Sequence, residues 1–153
     1  EQAKKQRYRD YILLLTLWRT GMRVSEIVKL KKQDIQDDKI IVRQGKGKKD
    51  RVIPLESELS NLLGLYADRL KQRDRLFKIS DRQVRNIVYK YTPDELDAHP
   101  HTFRHSFAVY CLKNGMNIRS LQKILGHSDL STTEVYLDIV ADDLIDDFNK
   151  VVW

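Results

Sequence analysis

From Arg7 the stretch "RYRDYILLLTLWRTG" keeps a long apolar face and stops at Gly21, the residue type that accepts a left-handed conformation after a helix end. A buried helix is expected there. In "RVSEIVKL" the apolar Val24, Ile27, Val28 and Leu30 recur at helical spacing and leave Arg23 at the entrance, pointing outward. The period then changes. "KIIVRQGKGKKDRVIPL" alternates and is β-branched on both sides of a lysine- and glycine-rich centre, which predicts a hairpin with a mobile basic tip. Pro54 suits the end of an edge strand.

Helical spacing returns over about 56–72 and again in "SDRQVRNIVYKY", where Ser80 and Gln83 have the separation of a capping box. "HTFRHSFAVYCLKNG" is expected to start after Pro100 with Thr102 as its cap and to end at Gly115. "NIRSLQKILG" starts at Asn117 and ends at Gly126. Ser131 and Glu134 form another capping box, placing Tyr136 in the first two turns of a short helix. "ADDLIDDFNKVVW" is amphipathic, with Leu144, Ile145, Phe148, Val151 and Trp153 for its stripe. The fold class read from this pattern is mainly α with a small antiparallel β-hairpin. No repeat or linker splits the 153 residues, so a single domain spanning 1–153 is expected. A chain of that length buries roughly 70% of the surface exposed when unfolded.

Charge sharpens the picture because it is unevenly spread. Residues 1–53 carry 15 basic and 7 acidic side chains, residues 54–136 carry 12 and 10, and residues 137–153 carry 1 and 5. A polyanion-facing surface would therefore be drawn from the first third. The single cysteine, Cys111, lies in an apolar run with no disulfide partner, which fits packing in a reducing compartment. No stretch reaches 18 apolar residues and no signal peptide is evident, so a cytoplasmic protein that does not enter membranes is expected.

The chain has no phosphate-binding loop of the GxxxxGK[ST] kind, no CxxC pair and no acidic cluster at metal spacing. His101 and His105, with His99 or His127 as a third, could in principle ligate zinc. HxxxH without the glutamate of zinc proteases is a weak signal, and neither a metal nor a cofactor is expected. The same residues read better as a phosphate clamp. Arg23, Lys46, His101, Arg104, His127 and Tyr136 each fall at or near an element end or loop tip, where side chains can converge. Two guanidinium forks can grip the non-bridging oxygens of a phosphodiester and hold the charge that builds during attack. Lysine or histidine can pass a proton to a leaving alkoxide, and a tyrosine of pKa about 10 needs such neighbours before it attacks. Singly these residues are ordinary: solvated charges, an ion-pair partner, a helix-start histidine, a core tyrosine. As an ordered set they are not.

That set resembles the tyrosine recombinase family, the phage-type integrases and Xer-type resolvases, from about Tyr11 to Val140. "TGMRVSEIVKL" is similar to the family's first arginine box and "GKGKKDRVIPL" to its hairpin lysine segment. "HPHTFRHSFA" is similar to its HxxR box, and "LGHSDLSTTEVY" to its second histidine and nucleophile. Phe103 stands where many relatives carry leucine, which keeps an apolar contact.

The resemblance implies the tyrosine recombinase catalytic-domain fold, an α+β arrangement, and site-specific recombination of double-stranded DNA. Arg23 and Arg104 would bind the scissile phosphate. Lys46 would protonate the leaving 5′ oxygen, with Lys48 and Lys49 as competitors for that role. His101 would assist proton transfer from the nucleophile, His127 would donate to a phosphate oxygen, and Tyr136 would form a 3′-phosphotyrosyl intermediate. His105 would support the site from behind, and Glu26 would orient helices or neighbouring donors. The N-terminal core-binding domain of the family has no counterpart in this chain. A homo-oligomer, a tetramer on DNA, is implied, with the isolated domain free to be monomeric. The C-terminal helix resembles the family's exchanged tail, with folding back on its own domain as the alternative. Type IB topoisomerase-like relaxation and an inactive DNA-binding relative are the competing functions.

Overall fold

A computed structural model describes residues 2–43 and 49–126. The hairpin tip at 44–48 and the segment 127–153 lie outside the described residues, and with them the helices expected after Ser131 and over the C-terminal amphipathic stretch. In chain order the described elements are α1 (Gln2–Thr20), α2 (Val24–Ile27), a 3₁₀ turn (Lys32–Asp34), β1 (Ile35–Gln36), β2 (Lys39–Val42) and β3 (Arg51–Pro54). These are followed by α3 (Ser57–Ala67), α4 (Asp81–Tyr91), a second 3₁₀ turn (Asp94–Leu96), α5 (Pro100–Lys113) and α6 (Ile118–Leu125).

The helices bury one stripe each. On α1, Ile12, Leu13 and Leu17 are fully buried, with Thr16 and Thr20 on the same face. The Thr16 hydroxyl donates to the Ile12 carbonyl one turn back at 2.6 Å, so the polar atom is satisfied inside the apolar stripe. α1 packs on α3 and α5, and α6 packs on β3 and α5. Leu59 and Leu63 of α3, Val84 and Val88 of α4, and Leu121 and Leu125 of α6 complete one core around Phe77.

The two strands of the expected hairpin pair as β2 and β3 of a three-stranded antiparallel sheet, ordered β1-β2-β3. Its register pairs Ile40 with Ile53, Val42 with Arg51 and Lys39 with Pro54. Pro54 thus ends an edge strand, where its missing N–H costs no ladder bond. The short β1, which pairs Ile35 with Ile40, was not expected from sequence.

Local signals placed most helix ends correctly. Ser80 caps α4, its hydroxyl accepting from the Gln83 N–H at 3.3 Å while the Gln83 side chain accepts from the Ser80 N–H at 2.9 Å. Asn117 caps α6, accepting from the Arg119 N–H at 2.9 Å. Gly21, Gly115 and Gly126 all have positive φ.

Two boundaries differ. The helix expected over 56–72 ends at Ala67, because the Lys32 ammonium takes the carbonyls of Asp68 and Leu70 at 3.1 and 2.9 Å. The following residues instead pair with the chain near Lys32, whose N–H donates to the Asp74 carbonyl. α5 starts at Pro100 rather than at a Thr102 cap. Proline is pre-set for the first helical position and has no N–H to satisfy there. Thr102 becomes the third helical residue, and its hydroxyl accepts from the His99 N–H at 3.0 Å.

Candidate functional site

Arg23 is the N-cap of α2, extended at φ −73 and ψ 152, so its side chain leaves the helix at the entrance. Glu26, three residues on, reaches back. Its carboxylate accepts from the Arg23 N–H at 2.8 Å and from Arg23 Nη1 at 3.2 Å. The Arg23 side chain stays 42% exposed while that of Glu26 is 13% exposed. The expectation that Glu26 orients a neighbouring donor is met at Arg23.

Arg104 is placed differently. It sits one turn into α5 and is 3% exposed. Its Nη1 donates to the Gly21 carbonyl at 2.7 Å and its Nη2 to the Leu125 carbonyl at 2.8 Å. Both acceptors lie at helix C-termini, of α1 and α6, where carbonyls lack intrahelical partners and the helix dipole favours a cation. Gly21 makes this approach possible. A Cβ there would lie 2.5 Å from Phe107 Cδ1 and 2.9 Å from Leu125 Cδ2, on a backbone already at φ +60.

His101 is exposed at the start of α5. Arg23, His101 and Arg104 line one open cleft of about 350 Å³, together with Asp81, Arg85 and His99. Three of the six expected site residues therefore meet. His99 had entered the sequence reading only as a candidate zinc ligand. It borders the same cleft, with Nδ1 3.1 Å from the Tyr89 hydroxyl and Nε2 3.5 Å from the Asp97 carboxylate. Its position before a helix-starting proline was the available clue. His105 is half-buried on α5 immediately after Arg104.

A larger open cleft of about 1080 Å³ adjoins the first and shares Arg23 with it. Lys29, Lys31, Arg43 and Lys49 line it, and Gly126 closes one side. Arg43 is steered by Asp34, which accepts from its Nε at 2.7 Å. Lys49, a sequence competitor for the acid role, thus stands in a cleft that Arg23 also lines. Lys46, Lys48, His127 and Tyr136 lie outside the described residues.

Sequence reasoning alone does not single out Arg51, although the phase of "RVIP" holds the signal. Ile53 is a core position, and a strand alternates, so Arg51 must face inward too. It is 8% exposed. Its Nη1 and Nη2 bond the two Glu26 oxygens at 2.6 and 2.8 Å, and its Nε donates to the Ile124 carbonyl at 2.7 Å. Burial alone would push the Glu26 carboxyl up. The hydrogen bonds from Arg51 and the Arg23 backbone, and the charges of both arginines, outweigh it and hold Glu26 below the usual carboxylate value. Cys111 is half-buried, and burial pushes its thiol up, in keeping with packing.

Among the described residues no helix is long and apolar enough to cross a membrane. The model of the phage integrase family matches residues 1–142. A tyrosine recombinase of Pseudothermotoga lettingae is 43% identical over 155 residues, covering 94% of this chain and 54% of that protein. The chain thus spans about half the length of the curated relatives it matches. Among solved structures, a XerA recombinase superimposes with a TM-score of 0.77 at 30% identity, covering 99% of this chain and 62% of its own. The catalytic domain of bacteriophage HP1 integrase does so with a TM-score of 0.64 at 32% identity, covering 83% and 73%.

Proposed function

The chain belongs to the phage integrase family, and we propose that it is a catalytic domain that cleaves and rejoins double-stranded DNA during site-specific recombination. The observation that carries this reading is the meeting of Arg23 and Arg104, from two separate helices, beside His101 in one cleft. Two guanidinium groups on one cleft suit a phosphodiester, whose attack builds negative charge on the non-bridging oxygens.

In the proposed reaction the Tyr136 oxygen attacks the phosphorus while its phenolic proton leaves with the help of His101. The bond to the 5′ oxygen breaks, and Lys46 supplies the proton that makes a free 5′ hydroxyl. His127 donates to a phosphate oxygen. The product is a 3′-phosphotyrosyl protein. One phosphodiester is exchanged for another, so a second 5′ hydroxyl reverses the step without ATP. A duplex lying over the basic cleft would meet Lys29, Lys31, Arg43 and Lys49. On these grounds alone binding is expected to be weak and salt-dependent, in the non-specific range of about 10⁻⁴ to 10⁻⁶ M. We further propose a tetramer on DNA as the working assembly, and the cytoplasm as its compartment, which suits an unpaired cysteine.

The test uses nicked duplexes that trap cleavage, at low salt, with this chain and its Tyr136→Phe variant. A chimera that adds the part of the Pseudothermotoga lettingae relative not covered by this chain serves as the third protein. A covalent adduct mapped to Tyr136, absent from the variant while DNA binding persists, is the expected result. Adduct formation by Tyr136→Phe would overturn the nucleophile assignment. A chimera that binds DNA and never forms an adduct would overturn the catalytic reading.

A further inference from the structure

Among the described residues Arg51 is a buried charge that donates hydrogen bonds through Nε, Nη1 and Nη2 and has no role in the reaction proposed above. It stands on β3 opposite Val42, on the strand that follows the lysine-bearing tip. Its side chain is 7% exposed. Removing a guanidinium from water is costly and is tolerated when its donors are used. Here Nε takes the Ile124 carbonyl in the last turn of α6, and both Nη atoms take Glu26 in parallel. One side chain thus ties β3 to the N-terminus of α2 and to the end of α6.

The geometry also divides Glu26 between two arginines. Arg51 takes both carboxylate oxygens at 2.6 and 2.8 Å, the stronger, bidentate arrangement for a guanidinium and a carboxylate. Arg23 keeps a single side-chain contact at 3.2 Å and remains 42% exposed. Without Arg51 the carboxylate would be free to take the Arg23 fork in the same bidentate manner, and the fork would no longer face the cleft.

We propose that Arg51 is a positioning residue for phosphate binding: by occupying Glu26, while anchored on the Ile124 carbonyl, it keeps the Arg23 guanidinium open to a DNA phosphate. This rests on the reading of Arg23 as a phosphate ligand. Arg51 itself touches no phosphate; it acts through Glu26.

The experiment compares wild type, Arg51→Lys, Arg51→Met and the double variant Arg51→Met/Glu26→Gln, with Arg23→Ala as calibrator. Covalent attachment is timed on a nicked duplex with an ordinary scissile phosphodiester and on one with a methylphosphonate there. Thermal unfolding is recorded for each protein. The methylphosphonate lacks the charged oxygen that Arg23 would hold. Arg51→Lys and Arg51→Met should slow attachment 10- to 100-fold on the phosphodiester and less than fivefold on the methylphosphonate, the pattern of Arg23→Ala. The double variant, which leaves no carboxylate to capture Arg23, should recover at least fivefold over Arg51→Met. Equal losses on both duplexes, or no recovery, would reduce Arg51 to a fold-stabilising ion pair and overturn the proposal. Should neither wild type nor the DNA-binding chimera form an adduct, the catalytic reading fails by itself. The arginine side-chain NMR signals of DNA-free protein then decide the Arg51 claim. Displacement of the Arg23 signals in Arg51→Met and their return in the double variant support it, and unchanged signals refute it.

Discussion

The two arginines that meet in the smaller cleft are held by opposite means. Arg104 is buried and fixed by two backbone carbonyls at the ends of α1 and α6. Arg23 is exposed and steered by a side chain, Glu26, that a second arginine already holds. The first is as rigid as the helix junction it bridges. The second depends on a charge network that pH and single substitutions can retune. The proposed clamp therefore has one fixed and one adjustable jaw.

Breaking the fixed jaw should have the largest effect. Gly21→Ala combines left-handed strain of about 1–2 kcal/mol with overpacking of about 1–3 kcal/mol against Phe107 and Leu125. Gly115, at φ +84, has nothing within 4 Å of an added Cβ, so Gly115→Ala should cost only the strain. Urea unfolding of both variants checks this. Equal midpoints would mean that close packing at the α1–α5–α6 junction does not matter.

Arg104→Lys keeps the charge and loses the fork that spans two carbonyls. Removing one preorganised donor costs about 10²–10³ in rate, and attachment to DNA should fall by that order. A variant with wild-type attachment would show that charge alone suffices at this position.

The adjustable jaw should respond to acid. Glu26 is held below its ordinary value of 4.5, so its contribution to stability is fully present above that value. It is lost as pH falls through the lower folded value. Unfolding measured from pH 7 to pH 3 should show a steeper acid decline for wild type than for Glu26→Gln. Identical slopes would mean that the network contributes nothing to stability. This is the smallest of the three effects, because hydrogen bonds to charged groups contribute only about 1.5–3 kcal/mol even when fully lost.

What could be read from the chain was local. The Ser80–Gln83 box, the Asn117 cap, the glycines after α1, α5 and α6 and the alternation of β2 and β3 all depend on residues within a turn or a strand pair of each other. The expected helix start at Thr102 failed for an equally local reason, the proline that begins α5 two residues earlier. The order of the arginine, lysine, histidine and tyrosine boxes already resembled one family, and the phage integrase family match over residues 1–142 accords with that resemblance.

The holding of those residues was settled by contacts between distant parts of the chain. Nothing near Arg104 in sequence names the Gly21 and Leu125 carbonyls as its acceptors, and nothing near Glu26 names Arg51. Residue identity sets which charge is available, and local backbone preference sets where an element begins. The direction and exposure of a guanidinium depend on which carbonyls and carboxylates the folded core brings within 3 Å. By itself the sequence determined the described helices to within a few residues at their ends, the strand pair of the hairpin and the cast of charged side chains. Only the tertiary structure decided that one arginine is locked between helix ends and the other left open beside a shared carboxylate.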